Sequence, residues 1–332
     1  MYKIKFTYSY KDIIEMENLL EAWKEFVVGK KSRKDVEEFQ RHLMGNIISL
    51  HTELKNKTYK HSQYEAFNIS DPKPRNIHKA KVRDRLLHHA LYRKLYPFFD
   101  KTFIADSYSC RINKGTHKAM ERFRYFSNKV SKNNTKTVWV LKCDIRKFFA
   151  SIDQEILLKI LKEYILDKDI ISVLTEIIQS FYSTEKGKGL PLGNLTSQLL
   201  VNIYMNKFDQ FVKHKLKVEY YIRYADDFVF MSDDKKWLEG LVSKISGFLW
   251  NELRLTLHPD KLFLETLASG VDFLGWVHFP NHKVLRTITK RKMFRKLKES
   301  NKEETAQSYL GLLSHGNGFK LHKKILDSTS TL

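Results

Sequence analysis

Two apolar runs flank a pair of acids in the most distinctive stretch of the chain. Aromatic and β-branched residues dominate positions 220–224 and 228–231, a composition typical of paired β-strands. Ala225, Asp226 and Asp227 lie between the runs, so the pattern predicts a β-hairpin with two carboxylates at its tip. Neighbouring carboxylates repel each other unless a cation lies between them. A solvated Asp-Asp turn is the plainer alternative for such a motif taken alone.

A second apolar run, upstream at residues 138–143, also ends at an acid, Asp144. Its sequence is typical of a strand. We therefore expect Asp144 to converge with Asp226 and Asp227 on one edge of a sheet. Carboxylate oxygens are the ligands that hard divalent cations prefer, so the three acids predict a site for two such ions.

Helical spacing accounts for most of the other apolar residues. Hydrophobic positions recur every three or four residues in the segments 10–56, 79–99, 154–182, 196–215 and 237–253. The plainest interpretation of these stripes is an ordinary core rather than a partner surface.

Charge changes this picture. The 332 residues include 59 Lys and Arg against 38 Asp and Glu, which gives a formal net charge of +21. Such an excess favours a polyanion as partner, most often nucleic acid, with a basic solubilising surface as the alternative. The helical segment 290–298 carries positive charge beside apolar residues, and we expect it to follow a phosphate backbone. A solvated helix face is the alternative there.

The sequence lacks the usual marks of a secreted or membrane protein, and this indicates the cellular compartment. The two cysteines, Cys110 and Cys143, show no metal-ligand spacing, which is typical of a reduced compartment. Residues 1–6 contain no apolar core of a signal peptide, and no uncharged run is as long as a membrane span. We therefore expect a cytoplasmic protein with no membrane partner.

Several loops and turns carry candidate chemistry. Lys73 and Arg75 lie in a proline-stiffened turn that would present two fixed cations to a triphosphate. The glycine-rich loop 185–193 lets main-chain N–H groups approach a substrate closely, but it lacks the Gly-Lys-Ser/Thr ending of a P-loop. His88 and His89 are consecutive in a predicted helix and cannot share one face. We interpret them as packing or phosphate contacts rather than metal ligands.

Phe149 lies five positions after Asp144. An aromatic side chain there would lie under the sugar of an incoming nucleotide and collide with a ribose 2′-hydroxyl, which favours deoxynucleotides. A buried core aromatic is the alternative interpretation.

Taken in order, the acid strand, the glycine loop with its helix and the Tyr-Ala-Asp-Asp hairpin resemble the palm of a reverse transcriptase. The resemblance covers about residues 60–315 and is specific, because several motifs occur in the family's order. It implies an α+β fold of the right-hand polymerase type, with fingers, a palm whose antiparallel sheet is backed by helices, and a short helical thumb. The expected division is an N-terminal helical extension at 1–58, fingers at 59–143 and 155–190, a palm at 144–154 and 191–277, and a helical thumb at 278–332.

The resemblance also implies a role for each matching residue. The catalytic residues would be Asp144, Asp226, Asp227 and Lys261, with the lysine protonating pyrophosphate. Two Mg²⁺ ions, for which Mn²⁺ can substitute, would be held by Asp144, Ile145, Asp226 and Asp227. The nucleotide-binding residues would be Lys73, Arg75, Phe148, Phe149, Leu192, Gly193 and Gln198. The primer and template would contact Tyr224, Phe273, Leu274, Gly275, Trp276, Arg291 and Arg295.

One segment distinguishes subgroups of this family. Most members that resemble group II intron enzymes have Pro-Gln-Gly followed by Ser-Pro, whereas residues 191–198 here are Pro-Leu-Gly-Asn-Leu-Thr-Ser-Gln. This pattern is similar to the reverse transcriptases of diversity-generating retroelements. It implies an enzyme that copies a dedicated template RNA with errors at adenines, assisted by a small basic helical accessory protein. Its other partners would be the primer or cDNA and deoxynucleoside triphosphates.

Leu192 offers a physical hypothesis for low fidelity. A glutamine at this position could hydrogen-bond the nucleotide, whereas leucine cannot. Losing such a fixed polar contact loosens discrimination by roughly 10- to 200-fold, or about 1–3 kcal/mol. We therefore expect Leu192, together with Gln198, to raise the error rate.

Other functions remain open from the sequence. An antiviral defence reverse transcriptase that uses a noncoding RNA is the first alternative, since it has the same catalytic core. A group II intron or retron enzyme is less favoured, because no maturase-sized extension or Cys/His cluster follows the expected thumb. A catalytically inactive RNA-binding scaffold is the alternative from another class, and the presence of all three acids argues against it. In each case we expect a bacterial or phage-encoded protein.

Overall fold

The computed structural model describes residues 4–70, 74–299 and 303–329, with side chains described as far as residue 326. In these segments the α-helices are α1 (Tyr10–Ile14), α2 (Met16–Val27), α3 (Lys34–Arg41), α4 (Leu43–Lys55), α5 (Val82–Asp100), α6 (Thr116–Val130), α7 (Phe148–Ser151), α8 (Gln154–Lys162), α9 (Lys168–Gln179), α10 (Leu195–Gln210), α11 (Lys235–Leu253), α12 (Thr287–Glu299), α13 (Glu303–Leu313) and α14 (Phe319–Thr329). A short π-helix, Phe211–Lys215, continues α10. The strands are β1 (Glu65–Ile69), β2 (Arg75–Lys79), β3 (Trp139–Asp144), β4 (Tyr221–Tyr224), β5 (Asp227–Ser232), β6 (Phe263–Thr266), β7 (Val271–Phe273), β8 (Trp276–His278) and β9 (Lys283–Leu285).

A four-stranded antiparallel sheet lies at the centre, in the order β4-β5-β3-β6. β3 therefore lies between the hairpin strand β5 and β6, and its last residue, Asp144, is opposite Asp227. Leu141 and Cys143 on one face of β3 pack into the main core. Val140, on the other face, packs into a second core that includes residues of β7. The mixture of helices with antiparallel sheets agrees with the expected α+β class.

The main core continues from the N-terminal helices to the central sheet. α2 packs along α5, and α5 packs along α10, so that Phe26, Leu87 and Leu200 are buried in one cluster. Asn18 of α2 is also buried, and its amide donates to the Ala90 carbonyl of α5 at 3.2 Å. The helices of the expected N-terminal extension therefore share their core with the rest of the chain.

Some expected boundaries need correction. A division between 143 and 144 would cut β3, which is a single strand of the central sheet. A division between 277 and 278 would cut β8, and β9 pairs with β8, so the small sheet extends to Leu285 before the C-terminal helices begin at Thr287. The helix expected from residue 79 begins instead at Val82, because Lys79 is the last residue of β2.

The C-terminal helices pack against the small sheet of β7, β8 and β9. Trp276 of β8 shares a third core with Leu313 of α13 and Ile325 of α14, and Met120 of α6 joins them. This core connects the C-terminal helices to α6 and to the hairpin of β7 and β8. None of the helices in the described segments is both long enough and apolar enough to cross a membrane.

Candidate active site

The three acids predicted from the sequence meet at one end of the central sheet. In the hairpin Tyr224 pairs with Asp227, so Ala225 and Asp226 form a two-residue turn in which Ala225 has φ +57°. Asp144 lies directly opposite Asp227. Opposed residues of an antiparallel pair have Cα atoms about 4.5–5.5 Å apart, and Asp226 precedes Asp227 in the turn. The chain therefore brings all three carboxylates to one place.

Burial and mutual repulsion both act against the ionised form of these acids. Burial raises the pKa of Asp226, and the Asp144 charge raises it further. Burial also raises the pKa of Asp227 to about 6, with smaller contributions from the other two acids. Lys142 opposes that rise. The Oδ1 atom of Asp227 is buried without a hydrogen-bond partner in the part of the chain that the structure describes. A cation between these carboxylates would offset their repulsion and supply a partner for this oxygen.

Lys261 lies at the acid cluster. Its Nζ donates to Asp144 Oδ1 at 2.8 Å. The main chain holds the lysine there, because the N–H of His258 donates to the Asp144 carbonyl at 2.8 Å and the N–H of Lys261 donates to the His258 carbonyl at 3.2 Å. This position agrees with the expected location of the catalytic lysine, whose proton transfer stays a prediction.

A buried ion pair between β4 and α10 supports the hairpin turn. Arg223 of β4 is 1% exposed, and its guanidinium makes two bonds to the Asp209 carboxylate of α10, Nε–Oδ1 at 2.8 Å and Nη2–Oδ2 at 2.7 Å. Tyr221 also donates to Asp209 Oδ1 at 2.8 Å. Arg223 Nη1 donates to the Ala225 carbonyl at 3.0 Å. The bidentate pair therefore fixes the turn that carries Asp226.

The glycine loop is tied to β2. The N–H of His78 donates to the Leu192 carbonyl at 3.0 Å, and the Asn194 side chain donates to the His78 carbonyl at 2.8 Å. Gly193 has φ +104°, and a Cβ there would lie 2.8 Å from Ile77 Cγ2. Both its backbone conformation and the close approach to β2 therefore require glycine.

Of the two cations expected to grip a triphosphate, only Arg75 belongs to the described residues. Arg75 begins β2 and is exposed. Its charge opposes the burial-driven rise in the pKa of Asp226, so Arg75 lies near enough to the acids to act on them. Lys73 lies outside the described residues.

The two phenylalanines of α7 differ in exposure. Phe148 is 3% exposed and lies in the main core, so its side chain cannot present itself to a nucleotide, and that prediction is corrected. Phe149 is half-buried and packs edge to face on Phe148, with ring centroids 5.6 Å apart. The N–H of Leu190 donates to the Phe149 carbonyl at 2.9 Å. Phe149 is therefore the available ring, and it is anchored to the glycine loop.

Residues 60–278 match the family model described as reverse transcriptase (RNA-dependent DNA polymerase), which covers more than half of the chain. The chain belongs to the reverse transcriptase family. It is 24% identical over 254 residues to protein YkfC of Escherichia coli strain K12, a match that covers 65% of each protein. It is 24% identical over 314 residues to nuclear intron maturase 4, mitochondrial, of Arabidopsis thaliana, covering 75% of this chain and 38% of the relative.

The group II intron-encoded protein LtrA of Lactococcus lactis is 21% identical over 264 residues, which cover 58% of this reverse transcriptase and 42% of LtrA. The intron proteins among these relatives support a group II intron-like lineage. The chain spans 65% or less of the length of each of the three relatives. The family membership also implies the right-hand polymerase fold that was expected from the sequence.

The acid cluster of this reverse transcriptase fits divalent metal ions. Asp144, Asp226 and Asp227 offer only oxygen donors, which Mg²⁺ prefers, and the unpaired Asp227 Oδ1 is available for one. Ile145 is 1% exposed with its side chain in the main core, so only its main-chain carbonyl could contribute. Within residues 4–70, 74–299 and 303–326, no three Asp, Glu, His or Cys side chains lie close enough together, as they are placed, to hold a metal ion. Asp144 accepts a hydrogen bond from Lys261 instead.

The predicted primer-binding turn of the reverse transcriptase exposes main chain rather than its largest side chains. Phe273 pairs with Trp276, so Leu274 (φ +51°) and Gly275 (φ +91°) form the turn. Phe273 is fully buried in the second core, and Trp276 is 3% exposed in the third. These two side chains support the turn from within the cores, and the primer-binding role of the segment stays a prediction. Leu274 and the main chain of Gly275 remain accessible for that contact.

Tyr224, Arg291 and Arg295 are accessible, as their predicted roles require. Tyr224 is half-buried, and its hydroxyl accepts from Thr116 Oγ1 at 3.2 Å. Arg291 is exposed on α12. The Arg295 side chain is 67% exposed, with Nε 3.7 Å from Glu299 Oε1. Because exposed ion pairs contribute little to stability, Arg295 can exchange this partner for a phosphate.

A basic cavity of about 330 Å³ opens beside the glycine loop, and the sequence did not reveal it. Its polar and charged lining consists of Lys30, Arg33, Lys79, Arg85, His88, His89, Asn194 and Gln198. His88 is 1% exposed, and neither ring nitrogen has a hydrogen-bond partner in the described segments. Burial lowers the pKa of His88 well below its usual value. The cavity could not be found from sequence, because α2, α5 and α10 contribute to it from distant segments.

Proposed function

We propose that the chain is an RNA-directed DNA polymerase that makes cDNA from a dedicated template RNA by nucleotidyl transfer. The observation that carries the proposal is the position of Asp144 opposite Asp227, with Asp226 in the adjoining turn. The net charge of +21 supports a nucleic acid substrate. Two Mg²⁺ ions, when bound by these acids, would lower the pKa of the primer 3′-hydroxyl and neutralise the leaving pyrophosphate.

Side chains and turns of the protein would position the primer and the nucleotide for nucleotidyl transfer. Arg75, with Lys73, would hold the triphosphate and stabilise its developing charge. Phe149 would lie under the sugar and exclude a 2′-hydroxyl. Lys261 would leave Asp144 and donate a proton to pyrophosphate. The turn of Leu274 and Gly275 would hold the primer end, with the exposed arginines of α12 on the duplex backbone.

The basic cavity beside the glycine loop is a candidate path for the template strand. Burial lowers the pKa of Lys30, and the neighbouring charges of Arg85 and Arg33 lower it further. Asp35 pairs with both Arg85 and Lys79, but the Nε of Arg85 is buried without a partner in the described segments. A phosphate of the template strand would relieve the crowding of these cations. We therefore place the template RNA along this cavity and along Gln198, which lines it.

Primer extension on an RNA template tests the proposed activity. Wild type should extend a DNA or RNA primer with deoxynucleotides and Mg²⁺, whereas Asp144→Asn should abolish synthesis, because one of three converging carboxylates is lost. RNA affinity, measured by fluorescence anisotropy, should be largely unchanged in this variant. Asp233→Asn is the matched control, since Asp233 is an exposed acid paired with Lys136 just after β5. Extension by Asp144→Asn at the wild-type rate would contradict the proposal.

Within this activity we propose the error-prone, cytoplasmic reverse transcriptase of a diversity-generating retroelement, assisted by a small basic helical accessory protein. The pattern from Leu192 to Gln198 supports this subtype. Leu192 is half-buried and its carbonyl is held by His78, so its side chain offers an apolar surface where glutamine could offer a polar one. Leu192→Gln should lower the error rate at template adenines by roughly 10-fold or more. Sequencing cDNA from one RNA template measures it, and an unchanged adenine error rate would discard the fidelity hypothesis.

Sequencing the nucleic acid that copurifies with the protein separates diversification from antiviral defence. An RNA with a matching cDNA that is mutated at adenines would support a diversity-generating retroelement. A homopolymer or dinucleotide-repeat product beside a noncoding RNA would support a defence enzyme and contradict the proposed subtype. Neither result would alter the proposed polymerase chemistry, since both enzymes use the same acids.

A further inference from the structure

Lys142 is a charged residue within the central sheet. It lies in β3 two residues before Asp144 and two after Val140, so it shares their face of the strand. Its side chain is only 15% exposed. A lysine this deeply placed is rare and costs stability unless its ammonium is paired. The partners of the Lys142 ammonium therefore indicate the role of this residue.

The Lys142 ammonium joins two parts of the active site. Nζ donates to the main-chain carbonyl of Asp272 in β7 at 2.5 Å and lies 3.8 Å from Asp227 Oδ2. The Asp272 carboxylate in turn accepts from Arg286 Nε, and Arg286 immediately precedes α12. The contacts therefore connect the acid cluster to β7, the strand that precedes the predicted primer-binding turn. Through Arg286 they continue to the start of α12.

The same ammonium links the two sheets beside the acids. Lys142 lies in β3 next to β5 in the central sheet, and it is hydrogen-bonded to the main chain of β7 in the small sheet.

We propose that Lys142 is a positioning residue that holds the turn of β7 and β8 and the Asp227 carboxylate in one fixed relation. In the proposed polymerase the turn holds the primer end and Asp227 contributes to the metal site, so one side chain sets the distance between them. The inference rests on the proposed function, because only a primer-extending enzyme needs these two parts in register. Lys142 would act through Asp272 and Asp227 rather than through a contact of its own with the primer or the nucleotide.

Lys142→Met tests this role, because methionine keeps an unbranched apolar stem and removes the ammonium. The KM for primer–template should rise and kcat should fall, each roughly tenfold, since a charged hydrogen-bond donor is lost. The KM for deoxynucleotides should stay within about twofold, because their contacts lie elsewhere. Lys142→Arg can still donate to the Asp272 carbonyl and should recover most of the activity. The matched control is Lys136→Met, which removes an exposed lysine just before the same strand and should change neither constant.

Arg286→Gln separates positioning from a purely structural role. If the contacts act together, Lys142→Met and Arg286→Gln should weaken primer–template binding non-additively in fluorescence anisotropy, since residues in one network couple. Additive losses, or wild-type kinetic constants in Lys142→Met, would overturn the proposal. A large fall in melting temperature in both Lys142 variants, with unchanged primer–template affinity, would overturn it as well.

The binding arm of this experiment does not depend on catalysis. A wild-type protein that binds primer–template but never extends it would contradict the proposed polymerase. The anisotropy cycle with Lys142→Met and Arg286→Gln would still decide whether these residues hold the turn and the acid together. Failure of the proposed function and failure of this inference therefore give different results.

Discussion

Asp227→Asn should stabilise the metal-free protein at neutral pH, although it removes an acid of the proposed active site. Burial raises the pKa of this carboxyl from 3.8 to about 6, and Asp144 and Asp226 add to the rise. A carboxyl whose pKa is higher in the folded than in the unfolded chain holds its proton more tightly when folded. Its ionisation therefore lowers stability progressively between about pH 4 and pH 6. The full cost is present above about pH 7 and absent below about pH 4.

The size of this effect follows from the shift in the pKa of Asp227. A rise of about two units corresponds to about 3 kcal/mol, at 1.36 kcal/mol per unit. Unfolding a chain of 332 residues carries an entropy of about 0.7 kcal/mol per kelvin, so the melting temperature should rise by about 4 °C. Asparagine has nearly the shape of aspartate and no ionisable group. The gain should therefore be complete at pH 8 and fall to about a third of that value at pH 4.5.

Differential scanning fluorimetry in EDTA measures this difference for wild type and Asp227→Asn at both pH values. Asp233→Asn is the control, because Asp233 is exposed and the hydrogen bond from Lys136 lowers its pKa instead of raising it. This control should show no gain at either pH. A variant at Asp227 that is no more stable than wild type at pH 8, or that gains equally at pH 4.5, would refute the reasoning.

Three further substitutions test other parts of the site. Phe149→Val should let ribonucleotides compete with deoxynucleotides, as measured by labelled ribonucleotide incorporation, and unchanged sugar discrimination would contradict its role. Gly193→Ala should raise the KM for deoxynucleotides, because a Cβ would meet Ile77 and φ +104° strains alanine; a wild-type KM would contradict this. Arg223→Met should lower the free energy of unfolding by about 3–5 kcal/mol, because the Asp209 carboxylate would stay buried without its partner. Denaturant titration measures that loss, and a change under about 1 kcal/mol would show that the pair does not support the turn.

The sequence predicts the features of the site that depend on neighbouring residues in the chain. The hairpin around Asp226 and Asp227 follows from two apolar runs and a short turn, and its strands lie within a residue of their expected positions. Asp144 follows as the acid at the end of another apolar strand. The strands that pair with β3 could not be predicted from neighbouring residues, because β5 and β6 come from segments far along the chain.

Burial was harder to predict, because it depends on which elements pack together. Phe148, Phe273 and Trp276 belong to motifs implied to bind substrate, yet their side chains fill the cores. An apolar motif residue can support the site from within while an adjacent turn or ring faces the substrate. Arg223 is the converse, since it looks like a surface residue of a strand but is buried against Asp209 of α10. A charged residue within an apolar strand was the available signal, because such residues need partners.

Counting bound Mn²⁺ by electron paramagnetic resonance tests most directly whether Asp144, Asp226 and Asp227 together hold divalent ions for nucleotidyl transfer. With primer–template and a non-hydrolysable deoxynucleoside triphosphate, we expect about two ions per chain for wild type. The double variant Asp226→Asn/Asp227→Asn should lose both from the protein site while still binding primer–template. Equal stoichiometry in wild type and the double variant, or no protein-bound Mn²⁺ in wild type, would contradict the account.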